Sequence, residues 1–152
     1  MKQSFLLFIF IAFLLSFSSG TKAQHSRTDV AFDKKDSLIV ENILVTLKNK
    51  TTLSTGDLII AAGNMLIETP YVAHTLEGGI EEKLIVNLRE LDCTTFAENC
   101  LALARTAQSA TPNFATFVNE LRSIRYRNKK LTDYSSRLHY FSDWTYNNEQ
   151  KV

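Results

Sequence analysis

The stretch NLRELDCTTFAENCLALART, residues 87–106, holds the only two cysteines of the chain, Cys93 and Cys100. Cys93 follows Asp92 where a helical pattern begins. A helix start offers free N–H groups and the positive end of aligned peptide dipoles, both of which favour an anion. A thiolate held there is one route to a cysteine that is nucleophilic near neutral pH. The start has two readings. With Asp92 as N-cap, Cys93 lies in the first turn; with Thr95 and Glu98 as a capping box, it lies just outside the helix. The plain alternative is a small structural cysteine. Cys100, two turns on, shares a face with Phe96, Ala97 and Ala104 and reads as buried filler. Seven helical residues separate the two Cα atoms by ~10 Å. A disulfide tolerates no more than ~7 Å, so two free thiols are expected.

A nucleophilic thiol needs a base within hydrogen-bond reach, usually histidine. The chain offers His25, His74 and His139. His25 lies in a polar stretch and reads as a solvated side chain. His74 sits in the loop YVAHTLE and His139 in SRLHYFSDW. Spacing places neither beside Cys93, and a histidine among aromatics reads equally well as a packed residue. Two cysteines and three histidines show none of the paired short spacings of a metal site, so no metal and no cofactor are expected. The lack of a C-x-x-C pair speaks against a thiol redox protein.

The elements that must position these groups follow from patterning. Of 152 residues, 45% are hydrophobic and 22% charged, the composition of one ordinary globular domain. Residues 1–23 stand apart. Lys2 precedes an apolar run at 5–17, and Thr21 and Ala23 occupy the small-residue positions of a signal-peptidase site. The run is too short for the ~20 residues of a spanning helix. A cleaved signal peptide and an exported, periplasmic or cell-envelope protein with no remaining membrane segment are expected. Cleavage shifts the formal charge from +1 to −1, which leaves no basic footprint for nucleic acid.

Residues 24–35 read as a polar lead-in. A first helix is expected from Asp36 or Ser37 as N-cap, with Val40, Ile43, Leu44 and Leu47 on its inner face. A second starts near Thr55 behind a Ser54/Asp57 cap and turns Leu58, Ala61, Ala62, Met65 and Leu66 inward. It must end before Pro70. Leu84, Val86 and Leu88 alternate like a short strand. The cysteine helix spans about 93–107. Thr111-Pro112 then signals another start, with threonine as cap and proline at the first position, followed by Phe114, Phe117, Val118, Leu121 and Ile124. Tyr134, Leu138 and Phe141 could form one further helical face. Four or five helices and very little strand are expected.

The blocks ETPYVAHTLEG, LRELDCTTFAENCLALAR and RLHYFSDW, in that order, resemble the N-acetylmuramoyl-L-alanine amidase-like family of the NlpC-type, papain-like cell-wall hydrolases. The resemblance covers roughly residues 35–150. It implies an α+β fold of which this chain holds mainly the helical N-terminal half, with the C-terminal antiparallel sheet largely missing. Residues 36–152 are then a partial papain-like domain. It implies a cysteine hydrolase acting on the peptidoglycan stem peptide or a muropeptide, with Cys93 as nucleophile and Asp92 opening its helix. Tyr71 would shape the site, and Arg137, His139 and Trp144 would line the cleft. The family's catalytic histidine lies on the sheet and matches neither His74 nor His139. The chain is therefore read as a truncated copy that carries the nucleophile without the usual base. A non-catalytic exported module that binds cell wall or a partner is the alternative, drawn from that missing base and from the aromatic residues between 126 and 146.

Overall fold

The computed structural model describes residues 29–50, 52–77 and 79–152. The expectations for residues 1–23 and for His25 lie outside these. Strand β1 (Val30–Phe32) leads into helix α1 (Lys34–Leu47), then α2 (Thr55–Leu66) and strand β2 (Leu84–Val86). Helices α3 (Cys93–Ala107), α4 (Phe114–Arg125) and α5 (Phe141–Asn148) follow. The two strands pair in parallel, with Val30 opposite Leu84, Ala31 opposite Ile85 and Phe32 opposite Val86. Parallel pairing needs a long crossover, which α1 and α2 supply. Helices with one small sheet make this an α+β arrangement. Among the described residues no helix is long and apolar enough to cross a membrane.

Helix α3 is the centre of the domain. It packs on α2 along one side and α4 along another, and it also touches α1. Leu101, Ala102, Leu103 and Ala104 are all buried, as expected of a helix surrounded by others. Val40, Ile43, Leu44 and Leu47 from α1 meet it, together with Leu58, Ala62 and Leu66 from α2 and Phe117, Leu121 and Ile124 from α4. Met65, expected inward, is exposed, and Ala61 is half-buried. Side chains the size of leucine contribute about 1.5–3 kcal/mol each when fully buried, so this cluster is the main source of stability.

Three element boundaries differ from the sequence expectation. The first helix starts earlier, because Asp33 is its N-cap. Asp33 accepts from the Lys35 amide at 2.7 Å, and Asp36 returns the bond by accepting from the Asp33 amide at 3.0 Å. Asp36 is thus the third residue of the helix and completes the box rather than being the N-cap, and its carboxylate makes tertiary contacts as well. Residues 30–32 of the polar lead-in form a strand. Helix α4 starts behind Asn113, whose side chain accepts from the Thr116 amide at 2.9 Å. Thr111 instead accepts from the Thr116 hydroxyl through its carbonyl. Finally, Tyr134, Leu138 and Phe141 do not share a helix. Residues Tyr134–Ser136 make one 3₁₀ turn, and Arg137 pairs antiparallel with Tyr126. Only at Phe141 does a helix begin. Asn128 and Lys129, with φ of 53° and 62°, turn the chain after α4 so that this pairing can form.

Candidate active site

Cys93 is the first residue of α3 and is exposed, while Cys100 is buried, and both are free. Asp92 is the N-cap. Its side chain accepts from the Thr95 amide at 2.8 Å, and its own amide donates to Thr95 Oγ1 at 2.8 Å. The capping box thus uses Asp92 and Thr95, and Cys93 lies inside the first turn. Burial pushes the Cys100 thiol up to about 12, which keeps it protonated and unreactive.

The segment before the cysteine is fixed from two sides. Leu91 donates to the Pro70 carbonyl at 3.0 Å, and Val72 donates to the Leu91 carbonyl at 3.1 Å. This parallel bridge sets Tyr71 beside Leu91, two residues from Cys93. Tyr71 is 71% exposed, so its ring stands open at that edge. On the other side, buried Asp36 accepts from the Leu88 amide and from Arg89 Nε, each at 3.0 Å. The loop between β2 and α3 is thereby tied to the first turn of α1.

Of the other residues that the sequence points to, Arg137 is nearly buried. It donates to the Leu76 carbonyl at 3.2 Å and to Glu77 Oε1 at 3.0 Å, and its guanidinium lies over the Tyr134 ring. It clasps the loop that follows Tyr71. His139 is exposed, its ring 4.0 Å from that of Tyr134, and its Nε2 donates to the Tyr134 carbonyl at 2.6 Å. His74 sits in a turn with φ of 63°. Among the described residues no hydrogen bond joins either histidine to Cys93.

Trp144 stacks on Phe141 at 5.4 Å, and its buried Nε1 has no acceptor among the described residues. Together with Phe96, Cys100, Gly63, Ile60 and Ile67 it lines an apolar trough of ≈ 420 Å³. Helical spacing puts Phe96, Ala97 and Cys100 on the same face of α3 as Cys93. Among the described residues no group of three His, Cys, Asp or Glu side chains could hold a metal ion.

Sequence reasoning missed a buried ion pair. Arg125, the last residue of α4, donates from Nε to Glu98 Oε2 at 2.8 Å, and both side chains are 2% exposed. Burial pushes the Glu98 carboxyl up, and the Arg125 guanidinium pulls it back. The neighbouring Tyr126 hydroxyl donates to Glu82 at 2.8 Å. In the sequence Glu98 reads only as a capping-box partner of Thr95, a role that Asp92 and Thr95 fill between them, and nothing local points to Arg125.

A strand–loop–helix unit that presents an exposed, capped cysteine beside a tyrosine-bearing segment defines a candidate cysteine-based site. The chain belongs to the N-acetylmuramoyl-L-alanine amidase-like family, which it matches over residues 61–152. It is similar to an N-acetylmuramoyl-L-alanine amidase from Bacteroides uniformis whose crystal structure is known at 1.15 Å. Identity is 40%, the TM-score is 0.59, and the match covers 63% of this chain and 40% of that one. A second crystal structure of a Bacteroides uniformis N-acetylmuramoyl-L-alanine amidase, at 1.07 Å, gives a TM-score of 0.58 at the same identity and coverage. A Bacteroides fragilis protein described as a candidate xylanase is 47% identical over 55% of this chain and 36% of its own, with a TM-score of 0.50. The chain therefore spans about two-fifths of the length of these solved relatives. No curated protein matches it.

Proposed function

We propose that this chain carries the nucleophile-bearing part of an exported, papain-like cysteine hydrolase of the NlpC type, acting on an amide of the peptidoglycan stem. The muramoyl–alanine amide is the bond that the family's description names. The carrying observation is Cys93 itself: exposed at the first position of α3, capped by Asp92 and two residues after Leu91, which bridges to Tyr71. In this reading the Cys93 thiolate adds to the amide carbonyl, and its backbone N–H helps to hold the developing oxyanion. A thioester C–S bond forms, the C–N bond breaks, and the amine departs with a proton taken from solvent water. Water then hydrolyses the thioester. Tyr71 and Trp144 shape the cleft, Arg137 holds the loop behind Tyr71, and His139 lies at its rim.

The experiment is release of cleavage products from muropeptides by the full gene product, with Cys93→Ala as control. Release that depends on Cys93 is expected. No release, or equal release by Cys93→Ala, sinks the reading. A non-catalytic cell-wall-binding module is the second reading, supported by exposed Tyr71, Tyr140 and Tyr146 and by the lack of a histidine bonded to Cys93 among the described residues. It requires retention on isolated cell walls without cleavage, unchanged by Cys93→Ala.

A further inference from the structure

Arg125 joins the three segments from which the candidate site is built. Its Nε reaches Glu98, in the second turn of the helix that opens with Cys93. Its Nη1 donates to the Ile85 carbonyl of β2, the strand that leads into the cysteine loop. Its own carbonyl accepts from the Leu138 amide at 2.9 Å, fixing the segment that carries Arg137 and His139.

Burying a guanidinium and a carboxylate is an expensive way to gain stability. The desolvation cost of the two ions offsets most of their attraction, and apolar residues of similar volume commonly serve as well or better. What the pair supplies and an apolar pair does not is direction: a planar fork with fixed hydrogen-bond geometry. We infer that the Arg125–Glu98 pair is a positioning device that sets the pose of the Cys93 helix against β2 and the end of α4, from whose backbone the 137–138 segment is held, rather than a source of stability. The inference rests on the reading of Cys93 as nucleophile, because only then does its pose matter to a reaction.

The test is the double variant Arg125→Met/Glu98→Leu in the full gene product. It should melt no lower than the wild type. Amide exchange at Val72, Leu91 and Leu138 should nevertheless accelerate about tenfold or more, since those bonds depend on the pose. Cys93-dependent cleavage should fall by about 10- to 100-fold, mainly in kcat, as a small misplacement of reacting groups produces. Arg125→Lys keeps the charge but not the fork, and should lower kcat with KM nearly unchanged. A double variant that unfolds overturns the inference, because the pair is then a stability element. So does one that keeps wild-type exchange and cleavage. If the wild type itself shows no Cys93-dependent cleavage, the functional reading has failed on its own, and the melting and exchange data still decide whether the pair positions the helix.

Discussion

Asp92 and Thr95 close a reciprocal cap around Cys93: each backbone amide donates to the other's side chain, both at 2.8 Å. The Thr95 hydroxyl also donates to Asp92 Oδ1 at 2.9 Å. Two of the free donors of the helix start are thus satisfied within the protein, which leaves the first-turn groups near Cys93 to interact with what lies outside.

Replacing Asp92 by alanine removes the cap and one half of the box. A loss of about 1 kcal/mol in unfolding free energy is expected, read by urea denaturation. Asp92→Asn, which keeps an acceptor oxygen, should lose only a fraction of that. A larger loss in the asparagine variant than in the alanine variant would contradict the capping role.

The two thiols should behave differently. Iodoacetamide should modify Cys93 in the folded protein and leave Cys100 untouched until denaturant is added, as intact mass distinguishes. With its thiol pushed up to about 12, Cys100 has a thiolate fraction of about one in ten thousand at pH 8. The same shift ties stability to pH. The folded thiol titrates above its ordinary value of about 8.5, so the unfolded chain loses this proton first. The stabilisation is complete below about pH 8.5 and is lost as pH rises towards about 12, with a slope on the order of 1.4 kcal/mol per pH unit. Cys100→Ala should flatten that alkaline decline. An unchanged slope in that variant would place the effect elsewhere, the Tyr126 hydroxyl being next, since its burial also raises it.

Asp36 holds the cysteine loop from a distance in sequence. Asp36→Ala leaves the Leu88 amide buried without its acceptor, at a cost of about 2–3 kcal/mol. Faster amide exchange is expected at Leu88 and through residues 87–92. If the protein loses stability while that loop keeps its protection, Asp36 acts only on α1.

Gly63 sets how closely α2 approaches α3. A Cβ there would stand 3.4 Å from the Phe96 ring and 3.7 Å from Cys100 Sγ. Gly63→Ala is accommodated and gains helix propensity, so stability should hold or rise slightly. Gly63→Val must push the helices apart and should cost about 1–3 kcal/mol. A thermal melt of the two variants separates these outcomes, and equal melting temperatures would show that the contact yields.

Periodicity and capping chemistry are local, so they are legible in the amino-acid sequence alone. The cysteine helix runs over the residues its pattern predicts, because Asp92 marks its start and a continuous apolar face its length. The α2 start behind Ser54 and the short strand at Leu84–Val86 are readable for the same reason. Asn113 displaces Thr111-Pro112 as the α4 cap because several short polar residues compete at any helix start, and only the path of the incoming chain decides between them.

What the sequence determined by itself was the identity of the exposed thiol's neighbours along the chain: a cap before it, an apolar face behind it and a tyrosine-bearing loop upstream. Which groups meet across the chain was decided only by the tertiary structure. Asp36 has the pattern of a cap, and it both completes the α1 box and anchors the cysteine loop. Arg137, which the family resemblance assigns to the cleft, is nearly buried and bonded to Leu76 and Glu77, residues that no local rule pairs with it. Glu98 has the pattern of a capping-box partner for Thr95, yet it meets Arg125, 27 residues away, inside the core. The reason is physical: a buried charge is tolerable only where a partner arrives with the right geometry, and partners distant in sequence are brought together by packing rather than by any local rule.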